Sequence, residues 1–260
     1  MAGGIIELQD VGKSFDGGRS EAVDGVSLSV AEGAFLALVG SSGSGKTTTL
    51  KMINRLTQPD RGRVMIEGAP AGDLPAPELR RRIGYVFQGI GLFPHLTVAE
   101  NIGVTPSLLG WSRADIEART LELLDLVGLP SAYARRSPAA LSGGERQRVG
   151  VARALAARPR IVLMDEPFGA LDPVTRDSLG GAYRELHERL GLTTVMVTHD
   201  MQEAILLADR IAVMSRGRLI AEGAPGQLVS DSADADVRAL MDMPRRQAER
   251  VRARLGETHG

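Results

Sequence analysis

The 260-residue sequence contains no cysteine, which excludes disulfides, thiolate metal sites and cysteine nucleophiles. Long hydrophobic runs are missing too. Apolar stretches such as AFLALV at Ala34–Val39 are strand-sized, far short of the roughly 20 residues that a membrane-spanning helix needs. The formal net charge is -1, so there is no general attraction to nucleic acid or anionic lipid, and no nucleic-acid partner is expected. The opening MAGGIIELQD has no basic region followed by an apolar core, so it does not read as a secretory signal and a cytoplasmic address is expected. Four histidines are scattered without metal-ligand spacing. What is present, 43% hydrophobic and 24% charged residues, suits one globular domain with subdomains and a substantial core.

From Ile5 to Val39, apolar and polar residues alternate, broken by Gly17–Gly18 and by Glu32–Gly33, which predicts short strands and turns. After Thr47 the spacing of Leu50, Ile53 and Leu56 predicts a helix ended by Pro59–Gly62. RVMIEG (Arg63–Gly68) and IGYVFQ (Ile83–Gln88) read as strands. Between about Gly89 and Ala157 the pattern is mostly helical, including Asp115–Leu129, and reads as an inserted helical subdomain. Strand and helix patterns then alternate: IVLMD, a helix from about Pro173 to Leu190, TTVMVTHD, MQEAILLADR and IAVMSRGRLIAEG. Such alternation predicts an α/β fold with a largely parallel sheet. Residues 1–240 are expected to form the catalytic domain and 241–260 a polar helical tail. The tail's basic face could bind something acidic, although a solvated helix is the simpler reading.

Two segments carry chemistry on their own residues. GSSGSGKTT, comprising Gly40, Ser41, Ser42, Gly43, Ser44, Gly45, Lys46, Thr47 and Thr48, follows a strand and opens a helix. That is the context of a phosphate-binding loop whose backbone N–H groups and helix N-terminus hold a triphosphate. Gly40, Gly43 and Gly45 permit close approach of the backbone. Lys46 would neutralise the β- and γ-oxygens, Thr47 would ligate Mg²⁺, and Thr48 would meet the α-phosphate side. IVLMDE at Ile161–Glu166 ends an apolar strand in two carboxylates. Asp165 would approach Mg²⁺, while Glu166 would act as general base or orient the attacking water.

A third segment, LSGGE at Leu141–Glu145, opens a helix about 20 residues before that strand. Together the three resemble the ATP-binding cassette (ABC) proteins over nearly the whole chain. The resemblance implies a P-loop nucleotide-binding domain with a mostly parallel sheet core, an antiparallel β subdomain and a helical subdomain at about 89–157. It also implies ATP and Mg²⁺ as cofactors. Ser142, Gly143 and Gly144 match the signature that contacts ATP held by an opposite subunit, which implies a homodimer or a paired cassette. Gln88 matches the residue that links Mg²⁺ and the attacking water to a transmembrane partner, and His199 matches the switch histidine at the γ-phosphate. Phe15 matches the aromatic that stacks on adenine, and Asp172 a loop that crosses the dimer interface.

The wording LKMINRL, GLFPH and DEPFGALDPVTR is similar to ATPase subunits of bacterial uptake systems for glycine betaine, choline and carnitine. This resemblance implies an ATP-hydrolysing subunit on the cytoplasmic face of the membrane. It would be peripheral through integral permease subunits and served by an extracytoplasmic solute-binding protein. Ile90, Leu92, Phe93 and Leu96 would suit permease contact or would cover the core. Uptake of amino acids, polyamines or sulfonates is the alternative, and a non-transport ABC ATPase a more distant one. Two departures stand out. Many such ATPases carry paired regulatory modules after the cassette where this sequence has a short tail, so regulation through them is not expected. Gly89 and Glu145 stand where the family often has glutamine.

Overall fold

Pleating sends alternate side chains of a strand to opposite faces of its sheet, and in this chain the alternation builds two cores. The computed structural model describes residues 4–89, 91–230 and 234–255, apart from the side chains of 235 and 236. The strands β1 (Ile6–Ser14), β2 (Glu21–Val30), β3 (Phe35–Val39), β4 (Arg61–Ile66), β5 (Ala69–Pro70), β6 (Ile83–Val86), β7 (Ile161–Asp165), β8 (Thr193–Val197), β9 (Arg210–Ser215) and β10 (Arg218–Gly223) form two sheets. One is antiparallel, in the order β2-β1-β4-β5; the other, β10-β9-β3-β8-β7-β6, is parallel from β9 to β6 with β10 antiparallel at its edge. The α/β expectation with a mostly parallel sheet is thus confirmed.

Strands β3, β7 and β8 are buried along their whole length, because both faces of the parallel sheet are covered. Leu36, Leu38, Leu163, Val195 and Val197 join the antiparallel sheet's Ile6, Leu8, Val26 and Val64 in one core, closed by Leu50, Met52 and Ile53 of helix α1 (Lys46–Ile53). On the other face Phe35, Ala37, Val162, Met164 and Met196 pack with residues of α3 (Val98–Leu108), α4 (Arg113–Leu126), α5 (Gly143–Leu155), α6 (Pro173–Leu190) and α7 (Met201–Leu207). Helix α2 (Ala76–Arg82) precedes β6. After β10 come α8 (Pro225–Ser230), α9 (Ala235–Met241) and α10 (Met243–Leu255), and α10 buries none of its side chains.

Two sequence expectations need correction. Helix α1 stops at Ile53 rather than running through Leu56, because Arg55 takes a left-handed backbone at φ 57. The Leu56 N–H then donates to the Lys51 carbonyl at 2.9 Å, and the Arg55 guanidinium donates to the Ala71 and Leu74 carbonyls. Tertiary hydrogen bonds therefore outweigh the periodic signal. Strand β6 likewise ends at Val86, so Phe87 and Gln88 lie beyond the ladder, with Phe87 exposed.

Candidate nucleotide site

The loop between β3 and α1 is shaped by what cannot fit. Gly40 has φ 145, and a Cβ there would lie 2.1 Å from the Met214 carbonyl oxygen; Gly45 has φ 99, and a Cβ would lie 2.4 Å from the Ala22 carbonyl oxygen. Only glycine tolerates both the backbone and the crowding. Gly45 is the N-cap of α1, whose first residue is Lys46. The Ser44 N–H donates to the Ser41 carbonyl at 3.2 Å, closing a tight turn that leaves Ser41, Ser42 and Gly43 exposed and Ser44 buried. The Lys46 ammonium folds over this turn, donating to the carbonyls of Gly40 at 2.9 Å and Ser41 at 2.8 Å and to Ser44 Oγ at 3.2 Å. Burial pushes the Lys46 amine down from its ordinary value, opposed by the charges of Glu166 and Asp165. Thr47 and Thr48 are half-buried in the first turn of α1.

Sheet order gathers the rest. Strands β3, β8, β7 and β6 are consecutive neighbours and run parallel, so the chain leaves all four at one edge. The phosphate loop follows β3, His199 follows β8, Asp165 and Glu166 end and follow β7, and Gln88 follows β6. Asp165 is buried and accepts from the Thr47 hydroxyl at 2.9 Å. Burial raises the Asp165 carboxyl, and the Thr47 hydrogen bond and Lys51 and Lys46 charges oppose that rise. Glu166 takes a left-handed backbone at φ 49 while its N–H donates to the Val197 carbonyl at 2.9 Å. A non-glycine residue in that region is strained, and here the bend accompanies a side chain engaged on both oxygens. Gln88 Nε2 donates to Glu166 Oε2 at 3.2 Å, and His199 Nδ1 lies 3.2 Å from Glu166 Oε1.

The remaining candidates sit apart from this cluster. Ser142 caps α5 in a reciprocal pair: the Glu145 N–H donates to Ser142 Oγ at 3.2 Å, and the Ser142 N–H donates to Glu145 Oε2 at 2.6 Å. The Tyr133 hydroxyl adds a bond to Glu145 Oε1 at 2.9 Å. Gly143 and Gly144 form the first turn of that helix. Asp172 caps α6, accepting from the Thr175 N–H at 3.0 Å. Phe15 is 67% exposed just past β1, with Lys13 Nζ 5.5 Å from its ring centre, so it is not a core residue. Among the described residues no hydrogen bond or ion pair joins Phe15, Ser142, Gly143, Gly144 or Asp172 to Glu166 or the phosphate loop.

Of the apolar residues after Gln88, Leu92 packs against the core, Leu96 is half-buried, Phe93 is exposed, and Ile90 lies outside the described residues. Beside them is a cavity of about 420 Å³ whose lining includes Tyr85, Phe87, Phe93, Val104 and Arg153. Sequence reasoning passed over Arg176, Thr198 and Glu203, which are linked to one another and to Asp200 around His199. A carboxylate at 203, one turn before Leu207 on the buried side of α7, is the signal that could have found the last.

A family model described as ABC transporter matches residues 23–169. The chain belongs to the ABC transporter family. It is similar to the choline transport ATP-binding protein OpuBA of Bacillus subtilis, 48% identical over 93% of this chain and 63% of that protein. It is also similar to the glycine betaine uptake system ATP-binding protein YehX of Escherichia coli, 50% identical over 90% of this chain and 75% of that protein. The chain thus spans under two thirds of the first relative's length. Among solved structures, the ATP-binding cassette MJ0796, a dimer in a post-hydrolysis state bound to ADP and phosphate, superposes with a TM-score of 0.79. It is 36% identical, over 84% of this chain and 98% of that one. Among the described residues no helix is long and apolar enough to cross a membrane.

Proposed function

We propose that this ABC chain hydrolyses ATP to energise import of a small quaternary-ammonium osmoprotectant, such as glycine betaine, through separate permease subunits. The observation that carries the hydrolytic part is the Gln88–Glu166–His199 cluster set beside the Thr47–Asp165 pair at one sheet edge. Lys46 would exchange its bonds to Gly40, Ser41 and Ser44 for phosphate oxygens, with the loop and α1 N-terminal amides around them. Glu166, held at both oxygens, would orient a water and take its proton, and His199 would face the terminal phosphate.

The residues fit a magnesium ion. The Thr47 hydroxyl and the Asp165 carboxylate are hard oxygen donors already 2.9 Å apart, and such ions use one or two protein oxygens together with phosphates and water. Bound there, the ion would neutralise charge on the β- and γ-oxygens. Ser142, Gly143 and Gly144 would meet the nucleotide of a second copy, a reading supported by the dimeric state of the similar cassette. Phe15 would stack on adenine, and Asp172 would lie at the junction of the copies. The permease would dock at the cavity beside Phe87 and Phe93, placing the subunit on the cytoplasmic face of the membrane, with a solute-binding protein on the other side. The substrate class is supported by the choline and glycine betaine relatives.

Uptake of labelled glycine betaine at high external osmolarity tests the whole reading. Cells lacking this chain should lose uptake, and only the wild type, not Glu166→Gln, should restore it. Unchanged uptake on deletion, in cells with no second system, would return the solute to amino acids, polyamines or sulfonates.

A further inference from the structure

The loop that carries His199 is fastened to the loop that follows Glu166 by one side chain. Arg176 lies in the first turn of α6. Its Nη2 donates to the Leu171 carbonyl at 3.3 Å and its Nη1 to Asp200 Oδ2 at 2.9 Å, while its Nε stands 3.7 Å from Glu203 Oε1. Each of the last two partners is tied to a neighbour of His199. Asp200 is itself the next residue and caps α7 through Oδ1, which accepts from the N–H groups of Gln202 and Glu203. Glu203 is buried and accepts from the Thr198 hydroxyl at 2.7 Å, and Thr198 Oγ1 also receives the Asp200 N–H at 3.0 Å. Both residues flanking His199 are therefore held, while the imidazole itself is 67% exposed and touches Glu166.

We propose that Arg176 is a positioning residue that holds His199 against Glu166 by locking the 198–200 loop to the 166–172 loop. The inference rests on the hydrolytic reading above, but its physics is local. An exposed imidazole on a short loop keeps a fixed distance from a carboxylate on another loop only if the two loops cannot slide. A planar guanidinium whose Nη1 and Nη2 each donate a directed bond, with its buried Nε left to face the Glu203 charge at 3.7 Å without a hydrogen bond, fixes both loops in a way that a lysine, with one compact charge, cannot. The bond to the Leu171 carbonyl also carries the constraint toward Asp172, the residue placed above at the junction of two copies. Movement of that junction would reach His199 through Arg176.

Hydrolysis and ATP KM should be measured for the purified full chain, wild type and Arg176→Gln, Arg176→Lys, His199→Ala and Arg176→Gln/His199→Ala. Misplacing a catalytic group by about 1 Å can cost about 100-fold, so a smaller shift is expected to cost about 10- to 100-fold. Arg176→Gln should lose that much in kcat with ATP KM within about twofold, and Arg176→Lys should recover only part of it. In the His199→Ala background the same change should cost less than about twofold, because two steps of one pathway are not additive. Multiplying effects, or a full-rate Arg176→Gln, would overturn the proposal. A fully active His199→Ala would overturn this inference alone, whereas a wild-type chain that does not hydrolyse ATP would overturn the hydrolytic reading and this inference with it.

A readout independent of turnover is the imidazole nitrogen spectrum, with four histidines in the chain and His199 identified by its loss in His199→Ala. Arg176→Gln should shift the His199 signal and leave that of His187, buried about three turns further along α6 against Thr194, in place. An unmoved His199 signal in folded Arg176→Gln would also refute the proposal.

Discussion

The Thr47 hydroxyl donates to Asp165 Oδ1 at 2.9 Å, joining the first turn of α1 to the last residue of β7 across 118 positions of chain. The bond satisfies one oxygen of a buried carboxylate whose pKa burial has raised. With the folded value above the unfolded one, the group's contribution to stability is present below the unfolded pKa near 3.8 and is lost as pH rises through the folded value. At neutral pH the ionised Asp165 thus weakens the ligand-free fold.

Asp165→Asn keeps an oxygen for Thr47 and removes the charge. Its ligand-free Tm at pH 7.5 should rise, each kcal/mol regained appearing as about 2–4 °C in a chain of this size. Stabilisation by added ATP and Mg²⁺, expected in the wild type at saturating nucleotide, should shrink. A scanning fluorimetry series with and without nucleotide measures both, and a lower ligand-free Tm would contradict the assigned burial cost.

Lys46→Ala removes the cation above the phosphate loop. Hydrogen bonds to a charged group contribute about 1.5–3 kcal/mol each, so ATP affinity should fall by about 10- to 100-fold in a titration with a fluorescent nucleotide. Affinity equal to wild type would mean that Lys46 braces the loop, through Gly40, Ser41 and Ser44, without touching phosphate.

Glu166→Gln retains shape and one acceptor, so either Gln88 or His199 keeps its partner while basicity is lost. Phosphate release should fall by about 10²- to 10⁴-fold, the range for a positioned general base, with ATP still bound. A nucleotide-dependent dimer should then persist on size exclusion. Undiminished phosphate release would remove Glu166 from its role.

What could be read from the sequence follows from what is local. The phosphate loop is contiguous, so Gly40 to Thr48 carry their chemistry in spacing alone, and the apolar β3 and the apolar run Ile161–Met164 of β7 show themselves as buried strands. Helix α6, Pro173–Leu190, was legible from cap to end because Asp172, Pro173 and Gly191 punctuate it. The meeting of Gln88, Glu166 and His199 is different. It depends on β7 lying between β6 and β8, a sheet order that no periodicity encodes; only the family resemblance brought the three together in advance. The end of α1 and the role of Arg176 were hidden for the same reason, since their partners lie 16 to 19 residues away for Arg55 and 24 for the Asp200 bond.

Glu145 shows how a departure from the family pattern can be absorbed. Where the family often has glutamine, this carboxylate accepts from the Ser142 N–H and the Tyr133 hydroxyl, and those bonds hold its pKa below the ordinary glutamate value. Glutamine can fill the same place in a capping box. Glu145→Ala keeps the Ser142 cap bond but loses the bonds from the Ser142 N–H and the Tyr133 hydroxyl. It should therefore cost about 0.5–1.5 kcal/mol, the net range for a hydrogen bond, and Glu145→Gln clearly less, by urea unfolding at pH 7.5. Because the folded pKa is lowered, the extra stability of the carboxylate is present above the unfolded pKa near 4.5 and is lost as pH falls through the folded value. Wild type and Glu145→Gln should accordingly converge in stability as the medium is acidified below that range. A difference that stayed constant with pH would assign the cap to geometry rather than to charge.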